Sequence, residues 1–283
     1  MTSRRDGGNL VAPPEPASCG RAGGAPAARE PQLLSALATH LQALRARIER
    51  ACAASGREAG DVRLVGVTKT VAPPVAAELF ALGVGDLGES RVQVLERKVA
   101  HFAARDLRPT WHLIGHLQRN KARRAVLLAD QIHSVDSPAL LETLERVAGE
   151  EGRRPGIWLE LKLVDRATRG GLEPEQLPAV FSRAASCEHL ELRGLMTMAA
   201  PPEPDAADDA DPLVRQAAAL EVFRELRRLA ESLPAAEAAR CADGRVRLSM
   251  GMTQDLEAAI HAGSHLVRVG SALVGGAAAE VPR

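Results

Sequence analysis

Leucines at 34, 37, 41 and 44, followed by Ile48 and Ala51, recur at intervals of three and four residues, with mostly polar or small side chains between them. Residues with that period share one face of an α-helix, so the pattern predicts an amphipathic helix that ends near Ser55-Gly56. Beyond it the pattern changes. Short apolar runs at 62–68, 84–87, 111–115, 131–135, 157–164, 190–197, 246–250 and 266–270 have the length and composition of strands. Helical segments near 72–82, 90–104, 118–129, 138–149, 174–186, 212–232 and 253–262 separate them.

Strands that alternate with helices argue for parallel β/α units. Eight strands are the number that closes a (β/α)8 TIM barrel, and that α/β architecture is the fold predicted here. An open doubly wound sheet is the alternative that the pattern leaves. The chain of 283 residues suits one barrel. Residues 1–30, rich in Gly, Pro and Ala and without periodicity, read as a disordered extension, and 31–283 as a single domain. The Pro- and Asp-rich connection at 199–212 (AAPPEPDAADDADP) reads as an exposed, mobile loop. The chain ends soon after the eighth strand, so no second domain is expected.

Composition narrows the field. Apolar residues make up 46% of the chain, ample for one core, but aromatics only 2%, so Leu, Val and Ala must fill the interior. There is no tyrosine, which removes one acid–base side chain from any mechanism. The formal net charge of +0 favours neither nucleic acid nor a strongly charged partner. No apolar run reaches the roughly 18 residues of a membrane span, and Arg4 and Arg5 are not followed by the apolar segment of a secretory signal. Cys19, Cys52, Cys187 and Cys241 lack paired spacing, which points to reduced thiols in the cytoplasm and no metal site.

In a barrel of this type, sites form at the C-terminal ends of the strands. The residues just past those ends include Lys69, Ser90, His116, Met196, Ser249, Met250, Gly251, Gly270 and Ser271, a polar and glycine-rich set that suits a ligand pocket. Lys69, at the end of RLVGVTKT, is the only lysine among them. Two readings stand for it. It snorkels from a strand end, or it lies in a partly dry mouth where desolvation lowers its pKa and the neutral amine forms an imine with a carbonyl. After strand seven, Thr253 is placed to cap a helix, with Asp255 and Glu257 in its first turn, and Gly251 lets backbone approach a ligand closely. Loops after strands seven and eight form the usual phosphate site of such barrels. Arg268 alternates with Val267 and Val269, so valines facing the helices would turn Arg268 into the barrel. There it needs a partner, either a strand carboxylate or a cofactor ring nitrogen. An imine-forming lysine, a phosphate cradle of Ser249, Gly270 and Ser271, and an inward arginine together suggest pyridoxal 5′-phosphate (PLP).

The run WHLIGHLQRNK at 111–121 resembles a signature of the PLP homeostasis protein family. So do VGVTKT with Lys69, GESRVQ at 88–93, IHSVDS at 132–137, GLMTM at 194–198 and the stretch from LSMGM at 248 to LVRVGSALVG ending at 275. The resemblance covers roughly residues 31 to 276. It implies a barrel like the N-terminal domain of alanine racemase, PLP held as an imine on Lys69, and a role in keeping and delivering PLP without clear turnover. The Arg268-x-Gly270-Ser271 segment is similar to the arginine-to-pyridine and phosphate-loop segment of alanine racemases. Family members usually carry Asn where this chain has Ser90, which is shorter and lacks an amide donor.

Racemases with this barrel use the imine lysine and a tyrosine from a second domain across a dimer. This chain has no tyrosine, and an arginine at the pyridine nitrogen weakens the ring as an electron sink. The residues therefore favour a monomeric PLP carrier whose transient partners are apo-enzymes. A PLP-dependent racemase-like enzyme, with His112 or His116 as a second base, and a barrel aldolase that uses Lys69 without PLP are the alternatives.

Overall fold

The computed structural model describes residues 26–164, 170–199 and 211–275. In it β1 (Arg63–Val67), β2 (Asp86–Glu89), β3 (Thr110–Leu113), β4 (Gln131–Val135), β5 (Gly156–Glu160), β6 (Glu191–Met196), β7 (Arg247–Ser249) and β8 (Leu266–Val269) run parallel and close in chain order. Closure is made by β1 against β8, with Arg63 opposite Leu266 and Val65 opposite Arg268. The pattern's (β/α)8 barrel is therefore the fold, and the open sheet is excluded.

The helices α1 (Pro26–Ala54), α2 (Pro73–Ala81), α3 (Val92–Ala103), α4 (Ala122–Leu128), α5 (Pro138–Glu151), α6 (Leu177–Ala185), α7 (Pro212–Glu231), α8 (Ala235–Ala238), α9 (Leu256–His261) and α10 (Ser271–Val274) surround the strands. The α1 helix begins at Pro26, ahead of Leu34 and inside the expected 1–30 extension. Proline's preset φ suits a first turn, and two alanines follow it. Residues 1–25 of that extension and 200–210 of the acidic connection lie outside the described residues. Among the described residues no helix is long and apolar enough to cross a membrane.

One strand lies two residues later than its apolar run. The run predicts 84–87, but β2 starts at Asp86 and reaches Glu89. Val84 packs into the core just before the strand, and the two acidic residues belong to buried hydrogen-bonded groups, where charge disguises a strand. Similarly, α9 starts at Leu256, three residues later than the predicted segment, because Asp255 and not Thr253 occupies its N-cap.

Strand alternation divides the interior in two. Outward residues such as Leu87, Leu113, Ile132, Leu159, Leu248, Val267 and Val269 pack under the helices in one large cluster. Inside the barrel, Val65, Trp158, Met196 and Leu266 form a small apolar group. Polar residues share this interior: His112, His133, Ser249 and Arg268 are all buried. Polar groups in such a place need hydrogen-bond partners, because bare desolvation costs several kcal/mol each.

His265, just before β8, accepts a hydrogen bond from the Leu248 backbone N–H on Nδ1 at 3.1 Å. Burial, with the nearby guanidiniums of Arg245, Arg57 and Arg247, pushes its imidazole down to about 4 from a usual 6.5. The folded chain thus refuses a proton that the unfolded chain takes up. Its contribution to stability is complete above pH 6.5 and is lost as pH falls toward 4. Urea midpoints measured between about pH 7 and 5 are expected to fall less steeply for His265→Asn, whose amide oxygen replaces the Nδ1 acceptor without titrating.

Candidate active site

A cavity of about 570 Å³ opens at the C-terminal ends of the strands, a size typical of small-ligand sites. Lys69, Ser90, His116, Arg268, Gly270 and Ser271 of the predicted set line it, together with Glu160, Met198, Thr253 and Asp255. Closing the barrel brings these residues together from β1 to β8, since every strand points the same way and ends at this face.

Lys69 follows Val67, the last residue of β1, and Thr68, both buried. It is exposed at the cavity wall, so the partly dry surroundings expected for it are not what the fold provides. The buried lysine is Lys98 on α3, which lies among Val94, Leu95 and Phe102 on that helix's apolar face. Its ammonium donates to Glu89 and, at 2.6 Å, to the carbonyl of Thr68, while the Thr68 hydroxyl donates to Glu89 at 2.6 Å. Burial pulls the Lys98 pKa down, and Glu89 opposes that shift. The pair grips the peptide just ahead of Lys69 and so determines where that side chain begins. Sequence reading missed it; the signal was a lysine at the i+3 and i+4 positions from Leu95 and Val94, on the buried face of its helix.

Arg268 points inward, as the alternation with Val267 and Val269 predicts, and only 4% of it is exposed. Its guanidinium donates to Ser249 Oγ at 2.6 Å and to the Thr197 carbonyl at 3.0 Å. Burial pushes its pKa down to about 10, against the attraction of Asp255 and Glu160, so the group stays charged at neutral pH. Burial also raises the pKa of Asp255, opposed by a hydrogen bond from the Met252 N–H at 2.5 Å and by Arg268.

The loops after β7 and β8 meet at Thr253, whose hydroxyl oxygen accepts from the Ser271 hydroxyl at 3.0 Å and the Ala272 N–H at 3.4 Å. Thr253 therefore ties the two loops together and does not cap α9. In the turn into α10, Leu273 and Val274 N–H both bond to the Gly270 carbonyl. The N–H groups of Gly270 and Ser271 have no partner among the described residues, which leaves two backbone donors beside the cavity for an anion.

Four predicted residues lie outside the cavity wall. Ser249 is fully buried beneath it, with its hydroxyl engaged by Arg268 and by His133 Nδ1 at 3.0 Å. A phosphate contact through that side chain is replaced by a supporting role under Arg268. Met196 fills the apolar group inside the barrel, and its neighbour Met198 reaches the cavity instead. Met250 faces the helices, the outward side of β7. Gly251 has φ +98°, and a Cβ there would lie 2.4 Å from the Ala259 side chain. Its lack of a side chain lets α9 pack closely; ligand approach is not what requires it.

At the cavity rim His116 Nδ1 lies 2.9 Å from Asp136 Oδ2. Gly115, before it, is confined to glycine because a Cβ would fall 2.2 Å from the Ser90 carbonyl oxygen. That contact holds Ser90 at the wall whatever its side chain donates. His112 is the buried, hydrogen-bonded histidine, remote from the cavity wall.

Residues 39–278 match the family described as "Alanine racemase, N-terminal domain". A pyridoxal phosphate homeostasis protein of Aquifex aeolicus is 33% identical over 81% of this chain and 93% of its own length. A protein of the same name from Pseudomonas aeruginosa is 35% identical over 86% and 96%. The chain belongs to the pyridoxal phosphate homeostasis protein family. PipY of Synechococcus elongatus PCC7942, solved with PLP bound, is 35% identical, with a TM-score of 0.67 over 84% of this chain and all of that one. Alanine racemase of Corynebacterium glutamicum shares the barrel at 18% identity and TM-score 0.58, over 85% of this chain and 60% of that one.

Lys98→Met leaves the Glu89 carboxylate buried without its counter-charge and is expected to cost about 3–5 kcal/mol of unfolding free energy by urea denaturation. Adding Glu89→Leu to that variant is expected to restore most of the loss, since an apolar pair removes both desolvated charges.

Proposed function

We propose that this family member binds PLP in the barrel-mouth cavity, holds it as an imine on Lys69, and keeps and delivers it within the cell without turning over a substrate. The observation that carries the reading is the convergence on one cavity of Lys69, the inward Arg268 and the two N–H groups of Gly270 and Ser271. Their chemistry fits the three ends of the cofactor. An amine meets the aldehyde, a donor-only cation faces the ring nitrogen, and backbone N–H groups with the Ser271 and Thr253 hydroxyls receive the phosphate. PipY, 35% identical to this chain, holds PLP, which supports the assignment.

When bound, PLP supplies an aldehyde and an electron-withdrawing ring. Lys69 would supply the amine for that aldehyde, and its exposed position would leave capture and release dependent only on water and proton transfer. Arg268 would present a positive, donor-only group to the ring nitrogen and would disfavour a proton there, which would weaken the ring as an electron sink. The chain contains no tyrosine to serve as a second base. Both features support a carrier over an enzyme. We read the protein as a monomer of the cytoplasm, where the free thiols of Cys52, Cys187 and Cys241 stay reduced, with apo-enzymes as transient acceptors.

One observation favours a second reading. The His116–Asp136 pair at the rim has the form of an oriented general base, which suits a racemase-like enzyme. Exchange of an amino acid's α-hydrogen for deuterium, catalysed by purified PLP-loaded protein and abolished in His116→Ala, would favour it over the carrier.

Titration with PLP is expected to produce the visible imine band in the wild-type protein and none in Lys69→Ala. An equal band in the variant would overturn the anchor. Transfer of PLP from loaded wild-type protein to an apo-enzyme, faster than from free Lys69→Ala mixtures at equal PLP, is the expected sign of delivery.

A further inference from the structure

An unbroken chain of side-chain hydrogen bonds runs through the barrel from its floor to Arg268. Asp86 Oδ1 lies 2.9 Å from His112 Nε2, His112 Nδ1 lies 2.9 Å from His133 Nε2, and His133 Nδ1 lies 3.0 Å from Ser249 Oγ. Arg268 then donates to the same Ser249 oxygen at 2.6 Å. The members come from five strands, β2, β3, β4, β7 and β8, so only the closed barrel assembles them. His112, His133 and Ser249 are at most 1% exposed, and the His133 ring stacks on Trp158 at 5.1 Å. Asp86 is the member that reaches solvent, with Arg63 3.6 Å away.

The two ends dictate who donates. A carboxylate only accepts, so His112 Nε2 carries a hydrogen toward Asp86. A guanidinium only donates, so Ser249 Oγ accepts from Arg268. With both imidazoles neutral, one arrangement satisfies every link. His133 Nε2–H donates to His112 Nδ1, and the Ser249 hydroxyl donates to His133 Nδ1. All donors then point toward the floor. A second proton on His112 reverses the chain: His112 Nδ1–H donates to His133 Nε2, and His133 must carry its hydrogen on Nδ1 and donate to Ser249. The Ser249 hydroxyl proton is then displaced from His133, and positive charge moves closer to Arg268.

We propose that Asp86, His112, His133 and Ser249 form a proton relay that positions Arg268, so that the grip on the PLP ring responds to protonation at the opposite mouth of the barrel. The PLP part of this statement rests on the reading of the cavity given above; the relay itself does not. His133 and Ser249 are positioning residues, since neither lines the cavity. His133 is well suited to pass a proton without keeping one: burial first, then His112 and Arg268, hold its pKa well below the usual histidine range. At the floor, His112 shares a small space with Arg63, Arg193, Asp243, Arg247 and His265. Three guanidiniums there stand beside the carboxylates of Asp243 and Asp86, and these are the charged groups that face His112.

Two measurements test the relay. In the protein without PLP, side-chain nitrogen shifts of the histidines are followed from about pH 8 to 5. His133 is expected to carry its proton on Nε2 at high pH and to change together with His112 as pH falls. Independent titration of the two rings, or His133 protonated on Nδ1 throughout, overturns the proposal. In the second measurement, PLP binding is followed by equilibrium dialysis across the same range. His133→Phe keeps the stack on Trp158 but loses both links, and is expected to weaken PLP binding about tenfold at neutral pH. His133→Asn keeps an acceptor toward Ser249 but cannot hand a proton on. It is expected to bind within about twofold of wild type and to lose the wild-type pH dependence below neutrality. Wild-type affinity and pH profile in both variants overturns the proposal, and His133→Asn keeps the test decisive if His133→Phe does not fold. If wild-type protein fails to bind PLP at all, the cofactor reading fails, while the nitrogen shifts still judge the relay.

Discussion

A guanidinium in the middle of a barrel is the constraint around which this molecule is arranged. Arg268 is almost wholly buried, and a cation in that position is tolerated only with its donors satisfied and opposite charge nearby. Ser249 and the Thr197 carbonyl take its hydrogens, and Asp255 and Glu160 supply the field that holds its charge. Ser249 in turn needs His133, His133 needs His112, and His112 needs Asp86. One inward arginine on β8 thus accounts for the polar residues on four other strands. It also explains why the apolar cluster of Val65, Trp158, Met196, Leu266 and the partly buried Met198 inside the barrel is small.

The lysine side of the cavity is organised by a separate buried charge pair. Lys98 and Glu89 lie between barrel and α3, on the outward side of β2, and clasp the last turn of β1 from behind. The two polar systems face opposite sides of the sheet and share no residue. One supports the Arg268 guanidinium, the other the backbone that presents the Lys69 amine. Between them, the β7 and β8 loops are joined through Thr253, which leaves the turn at Gly270 and Ser271 with open N–H groups. A small ligand held at three separately supported points needs no induced closure to be oriented. An exposed lysine at the rim leaves water access to its amine, which fits the exchange role proposed above better than protected carbanion chemistry.

Much of this was legible in the chain. Periodicities of 3.6 and 2 are local, and eight alternations sufficed for the barrel. Lys69, Arg268, Gly270 and Ser271 stood out because strand ends in a barrel converge, whatever the packing details. The inward turn of Arg268 followed from the valines on either side of it. Legibility failed where side-chain direction depends on a partner far along the chain. The Glu89–Lys98 pair went unread, Ser249 looked like a phosphate ligand, and Gly251 like a ligand contact. Each was missed or misplaced because its neighbour, Thr68, His133 or Ala259, is chosen by closure and helix packing.

The sequence by itself determined the fold class, the face on which a site would form, and the residues that furnish an amine, a cation and a glycine turn there. Those properties depend on local period and on strand polarity, which are written in adjacent residues. Only the tertiary structure decided which polar groups are buried and to whom they bond. Hydrogen bonds such as that from Arg268 to Ser249 join strands through the centre of a closed surface, and no local pattern encodes a distance across that space.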